Sequence, residues 1–187
     1  MTDKEFKFQY ALGSISKDDL KRIADKSTSK YILTTLSKDK NYKGSVAWNP
    51  NTPKKILTTL SKDKDYFIRG KVAYNLNTPI KLLPTLSKDK DWVVRSCVAG
   101  NSNTPIDILT KLSKDRISDV RTGVARNSNT PVDILIKLSK DKNNYVRSWV
   151  ARNPNTPNDI LNILSKDKGP YVKKYAKQTL LDKGIIV

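Results

Sequence analysis

The stretch TPIDILTKLSKDRISDVRTGVARNSN, Thr104 to Asn129, decides the fold because it recurs. Thr-Pro stands at Thr52–Pro53, Thr78–Pro79, Thr104–Pro105, Thr130–Pro131 and Thr156–Pro157, always 26 residues apart. The same interval separates Leu60, Leu86, Leu112, Leu138 and Leu164, each followed by Ser-Lys-Asp. It also separates Arg69, Arg95, Arg121 and Arg147, with Lys173 completing the row, and two Asn columns that run from Asn49 and Asn51 to Asn153 and Asn155. A fixed period with many columns in phase is the mark of stacked supersecondary units.

Within one unit, Thr104 is placed as an N-cap, Pro105 at the first helical position, and Asp107 as the acid of a capping box. Ile108, Leu109 and Leu112 then define one buried helical face. This helix is expected to end near Lys114–Asp115. A second short helix follows with Val120, Val124 and Ala125 inward, and Asn127-Ser-Asn129 closes it through the tolerance of Asn for the left-handed conformation. Helices of about ten residues are too short to stand alone, so stacking must stabilise them.

Four segments follow. Residues 1–27 form an N-terminal cap, with a helix starting at Ser16 and running to about Lys26. Residues 28–51 are a degenerate repeat that keeps Ile32-Leu33, Leu36-Ser-Lys-Asp39 and Val46-Ala47 but lacks two residues between its helices. Residues 52–178 hold five 26-residue repeats, and 179–187 are a C-terminal cap, all in a single solenoid domain. In the last unit Lys177 replaces the small alanine, Leu181 replaces the second Asn, and Gly184 offers a helix stop.

Composition narrows the function classes. The chain has 187 residues, 37% of them hydrophobic, and 36 Lys+Arg against 18 Asp+Glu give a net charge of +18. The single cysteine, Cys97, excludes an internal disulfide and a cysteine-based metal cluster. The lack of histidine removes the commonest general base and metal ligand. No metal or cofactor is expected. MTDKEFKFQY has no signal-peptide character and no run reaches membrane-spanning length, so the reading is a soluble, monomeric, cytoplasmic protein away from membranes.

The pattern N-x-N-T-P-x-D-I-L-x-x-L-S-K-D…V-R-x-x-V-A-x-N, over roughly residues 28–178, resembles the leucine-rich repeat variant family of HEAT-like helical repeats. The resemblance implies an all-α solenoid of short helix pairs, with one helix of each pair tight or 3₁₀-like. Some members carry a cysteine-rich iron–sulfur segment. This chain has no such segment, so that cofactor is not carried over. Fold alone does not assign function.

Constant and variable columns point to different roles. Arg69, Arg95, Arg121 and Arg147 recur in step with Asp63, Asp89, Asp115, Asp141 and Asp167, and are read as a structural ladder of ion pairs. The Asn columns are read as loop hydrogen-bonders. Lys62, Lys88, Lys114, Lys140 and Lys166 form one basic row, and Lys64, Lys90, Arg116, Lys142 and Lys168 a second, with the Asp row reducing their field. On the second helix, variable positions give Tyr66, Phe67, Lys71 and Tyr74, then Trp92, Val93, Cys97 and Gly100. Asp119, Gly123 and Arg126 come next, then Tyr145, Trp149 and Arg152, then Tyr171, Lys174 and Tyr175. In helix-pair solenoids second helices line the concave face, whose middle here is expected to be small and whose flanks are aromatic and basic.

The preferred reading is a non-enzymatic nucleic-acid-binding solenoid, with DNA favoured over RNA. Lys71, Arg126, Tyr145, Trp149, Arg152 and Lys174, with Lys88, Lys114 and Lys140 of the basic row, are its binding residues. Six layers of about 8–10 Å each are long enough to follow a duplex turn of roughly 34 Å. One alternative is a scaffold for an acidic protein. Another is an enzyme, because Asp119, Arg126, Trp149 and Arg152 are similar in type to the residues around the extruded nucleotide in HEAT-like alkylpurine DNA glycosylases. That resemblance lacks its Trp one turn before the acid, where Asp115 stands. Asp119 is the catalytic candidate only under this alternative.

Overall fold

The computed structural model describes residues 1–185; the final two residues of the expected 179–187 cap lie outside the described residues. Among the described residues every regular element is helical, and the fold is an α-solenoid of short helix pairs. The chain falls into two compact units, Met1–Leu86 and Ser87 onward. The first contains α1 (Asp3–Ala11), α2 (Lys17–Lys26), α3 (Lys30–Leu36), α4 (Lys43–Trp48), α5 (Lys54–Leu60), α6 (Tyr66–Tyr74) and α7 (Leu83–Leu86). The second contains α8 (Trp92–Gly100), α9 (Ile106–Leu112), α10 (Ser118–Arg126), α11 (Val132–Leu138), α12 (Asn144–Arg152), α13 (Asn158–Leu164) and α14 (Pro170–Asp182).

Each repeat buries the residues that its periodicity marks. Ile108, Leu109 and Leu112 of α9 and Val120, Val124 and Ala125 of α10 are all buried. Burial is worth about 1.5–3 kcal/mol for each fully covered Val, Leu or Ile side chain. The second helices of successive repeats pack against one another, α8 on α10 and α10 on α12. Gly123 permits the first of these approaches: a Cβ there would lie 2.8 Å from the Ser96 carbonyl oxygen and 2.9 Å from the Ala99 Cβ. The Ser96 hydroxyl also donates to the Asp119 carbonyl at 3.0 Å.

The helix starts differ from expectation. Pro105, not Thr104, occupies the N-cap of α9, and no side chain caps it. The Thr hydroxyl is engaged elsewhere: Thr52, Thr78, Thr104, Thr130 and Thr156 each donate to the carbonyl six residues earlier, at 2.5–2.6 Å. Asp107 therefore closes no capping box and instead pairs with Lys111 at 3.3 Å. Three second helices carry a side-chain cap instead, with Asp65, Asp91 and Asn143 accepting from the amide two residues on.

The Asn columns do not use the left-handed conformation, since no non-glycine residue has positive φ among the described residues. They act through the side chain. Asn127 Nδ2 donates to the carbonyls of Ala99 and Asn101, both at 2.8 Å, while its Oδ1 accepts from the Asn129 amide at 2.9 Å. Asn153 repeats this on Ala125 and Asn127. Helix ends that would otherwise carry orphan carbonyls thus find donors in the following repeat.

Among the described residues, 3₁₀ geometry occurs only at Ile80–Leu82, so the first helices are otherwise α-helical. Pro84 explains this one. It removes the amide that an α-helix would bond to Ile80, and its ring crowds that carbonyl.

Both ends depart from the expected caps. The segment 1–27 contains two helices rather than one, because Thr2 and Glu5 form a capping box that starts α1. Asn49 Nδ2 bonds to the carbonyls of Ala24 and Ser27 as Asn75 does to Ala47 and Asn49. The α1–α2 pair therefore serves as one more degenerate repeat. At the other end α14 runs through the expected 178/179 boundary. Its Thr179 hydroxyl replaces the Asn by donating to the Ala151 carbonyl at 2.7 Å. Gly184, at φ +75°, closes α14, with the Ile185 amide bonding back to the Leu180 carbonyl.

Candidate nucleic-acid interface

In the second unit three arginines of the constant column each hold one carboxylate and two carbonyls. Arg121 donates through Nε and Nη2 to the Asp141 carboxylate at 2.6 and 2.9 Å, and through Nη1 to the carbonyls of Asp115 and Arg116 at 2.8 and 3.2 Å. Arg95 with Asp115 and Arg147 with Asp167 repeat this geometry. Burial alone would raise the pKa of Asp141. Hydrogen bonds from Arg121 and from the Asn143 amide outweigh it and hold the carboxyl below its ordinary value. Asp115 behaves alike, while for Asp167 the bond from Arg147 is the largest influence and also lowers. In the first unit Arg69 Nη1 donates to the carbonyls of Asp63 and Lys64 at 2.8 and 3.0 Å.

This arrangement changes the electrostatics of the lysine rows. The carboxylates expected to weaken their field are already paired, Asp115, Asp141 and Asp167 with arginines and Asp63 with Lys43. Lys88, Lys114, Lys140 and Lys166 stay exposed, as do Lys90, Arg116, Lys142 and Lys168. Among the described residues no ion pair forms on any of these eight side chains.

The variable face of the second helices is basic and aromatic. The Arg126 guanidinium lies 5.9 Å from the Trp149 ring centroid. That of Arg152 lies 4.8 Å from Trp149 and 3.4 Å from the Tyr175 centroid. Tyr171 stacks on Tyr175 one turn along α14, and Lys174 is exposed beside them. A groove of about 510 Å³ runs between α12 and α14, lined by Tyr145, Trp149, Arg152, Tyr171 and Tyr175 among others. The packing of α10 on α12 brings Arg126 to Trp149 and Arg152, and the ring of Tyr175 joins them.

Other candidates fall out differently. The expected small floor at Cys97, Gly100 and Gly123 is not open. Gly123 is closed by α8, and a Cβ on Gly100 would lie 2.7 Å from Arg126 Nη2, so Gly100 makes room for that arginine. Burial pushes the Cys97 thiol up, with the Arg126 charge opposing it. Asp119 is exposed at the start of α10, and its carboxylate makes no hydrogen bond or ion pair among the described residues. It shares no ring or polar contact with Trp149 or Arg152. In the first unit Lys71 Nζ sits 4.8 Å from the Phe67 centroid, while Trp48 and Tyr74 stack at 5.3 Å, one repeat apart. Trp48 stands 26 residues before Tyr74 and so in its column, but ahead of the first full-length repeat, where the variable positions given above begin.

No helix among the described residues is long and apolar enough to cross a membrane. Among them no cluster of His, Cys, Asp or Glu is suited to a metal ion. No family model and no curated protein matches the chain. Among solved structures it is similar to one described as a leucine-rich repeat variant with a novel repetitive protein structural motif, at 26% identity and a TM-score of 0.58. That match covers 82% of this chain and 64% of the other, so the chain spans less than two thirds of its length. It is also similar to an engineered protein at 19% identity and a TM-score of 0.49, over 99% of this chain and 98% of that one. The resemblance to the leucine-rich repeat variant thus holds at the level of the helical repeat.

Proposed function

We propose that this helical repeat protein is a non-enzymatic nucleic-acid binder, with DNA as the preferred partner. The observation that carries the reading is the division of charge. The inner Asp carboxylates are engaged by the Arg column, and the lysine rows, including Lys88, Lys114 and Lys140, remain exposed without carboxylate partners. Arg126, Arg152 and Lys174 extend that charge across the aromatic face of the second unit, and Lys71 contributes in the first. A net charge of +18 with free cations in rows suits a phosphate backbone, where neutralising phosphates releases condensed counterions.

The test is a titration of labelled DNA and RNA across salt. Binding is expected at low salt and should weaken steeply between about 50 and 200 mM. Replacing Lys88, Lys114 and Lys140 with Gln should make the salt dependence shallower, by up to about one unit of slope for each phosphate left without its cation. Absence of binding to either nucleic acid at low salt sinks the reading. It would shift weight to an acidic protein partner, which the same charge would attract. The glycosylase alternative gains no support from the isolated position of Asp119.

A further inference from the structure

We infer that the groove between α12 and α14 holds an unstacked base of a single-stranded nucleic acid; this rests on the nucleic-acid reading above and narrows it. The groove's volume, about 510 Å³, lies within the roughly 300–1,000 Å³ of small-ligand sites. Four aromatic rings line it, and none of its lining residues is acidic. Trp149 and Tyr175 are half-buried walls with Arg152 between them. Tyr145 and Tyr171 are 70% and 64% exposed, too open to be gap fillers between repeats.

Arg152 makes the groove more than an apolar cleft. Contact with two rings restrains its guanidinium. Among the described residues it forms no hydrogen bond or ion pair, so its five in-plane donors remain available. A planar fork of this kind suits paired acceptors on a base edge or a phosphate. In a duplex the ring faces of the bases are covered by their neighbours, so aromatic side chains gain little from it. An unstacked base offers its π-face to Tyr145 or Tyr171 while its phosphate meets Arg152 and the nearby Lys174. Charge excludes a cationic occupant, and four rings exceed what backbone contact alone would use.

The experiment titrates the intact chain with labelled dT and rU strands of about 20 nucleotides and with a duplex of the same length, enough to fill a site of 4–16 nucleotides. Single strands should bind at least tenfold more tightly than duplex, and the tighter of the two identifies the sugar. The double variant Tyr145→Ala/Tyr171→Ala should lose about tenfold or more in single-strand affinity. Its salt slope should stay that of the parent, because no charge is removed. Both side chains are exposed, and circular dichroism is the check that the variant folds. Arg152→Lys keeps the charge but not the fork and should weaken single-strand binding with little change in salt slope. Equal binding of duplex and single strands, or a double variant that binds single strands as the parent does, overturns the inference and leaves charge-driven binding standing. Loss of all binding at low salt in the unmodified chain removes the nucleic-acid reading itself.

Discussion

The repeat of the first unit that carries Lys43 and the repeat of the second that carries Arg121 solve one problem with different chemistry. Each joins a second helix to the Asp of the next repeat. Arg121 reaches the Asp141 carboxylate with two nitrogens and its own interhelical loop with a third, in a setting where both side chains are less than a tenth exposed. Lys43 offers one bond to Asp63 at 2.7 Å and is 29% exposed. The missing two residues explain the exchange. In the shortened loop the Asp39 carbonyl already accepts from the amides of Tyr42 and Lys43, both at 3.1 Å. One of the two loop carbonyls that an arginine would span is thus taken up by the turn. The constant column is therefore a bond to the neighbour in both repeats, and a brace on its own loop only where the loop is long enough.

Acid is the broadest way to attack both versions. Asp63, Asp115, Asp141 and Asp167 all have pKa values lowered in the fold. A lowered folded value means the stabilisation is present above the unfolded value, near about 4, and disappears as pH falls through the folded values. Stability measured by denaturant should hold from neutral pH to about pH 5 and then drop. Hydrogen exchange should show the greater loss in α8–α14, which hold three of these four carboxylates. Flat stability into strong acid would mean the pairs contribute nothing.

Next in size is Arg121→Ala, which leaves Asp141 and two loop carbonyls short of donors. It should cost about 2–4 kcal/mol, somewhat below the loss for a fully buried pair. Arg121→Lys imitates the first unit's solution inside a full-length loop. It should cost about 1–2 kcal/mol, because the charge survives and the brace does not. A lysine tolerated there without loss would break the comparison. The smallest effect belongs to Lys43→Arg, expected within about 0.5 kcal/mol of the parent, since the turn already occupies the Asp39 carbonyl that the extra nitrogen would reach first. A gain well beyond that in chemical denaturation would show that the shortened loop is not the limit.

The solenoid is legible in the sequence because its cause is local and repeated. The periodic burial of residues such as Leu109 and Val124 needs no knowledge of the neighbour's geometry. What escapes depends on long-range partners. Thr104 has the chemistry of an N-cap, yet its hydroxyl is drawn to the Val98 carbonyl, which only the folded turn brings close. The place of Asn127 can be read from its column but its conformation cannot, because its side chain answers carbonyls of the previous repeat. Of the interface, Arg126, Trp149 and Arg152 can be grouped from the 26-residue period together with helical spacing in α12. The closure of Gly123 against Ser96 cannot, since a variable glycine reads equally as open floor or as tight packing. The Thr2–Glu5 capping box is visible in the first five residues, but it carries no period and a search for repeats does not meet it.

The two connecting columns point in opposite directions along the chain. Asn127 reaches back to Ala99 and Asn101, and Asn153 does likewise, while Arg95, Arg121 and Arg147 reach forward, as Arg121 does to Asp141. A ribosome delivers these in order. When Asn127 emerges its acceptors already exist, so a new repeat can seat on the finished one at once. Arg121 must wait until Asp141 has been made. A nascent chain therefore always has its footing behind it and one latch still open ahead. Trimming from the C-terminal side opens a latch and uncovers the carbonyls that the lost Asn satisfied, whereas trimming from the N-terminal side takes away the footing of the repeat that follows.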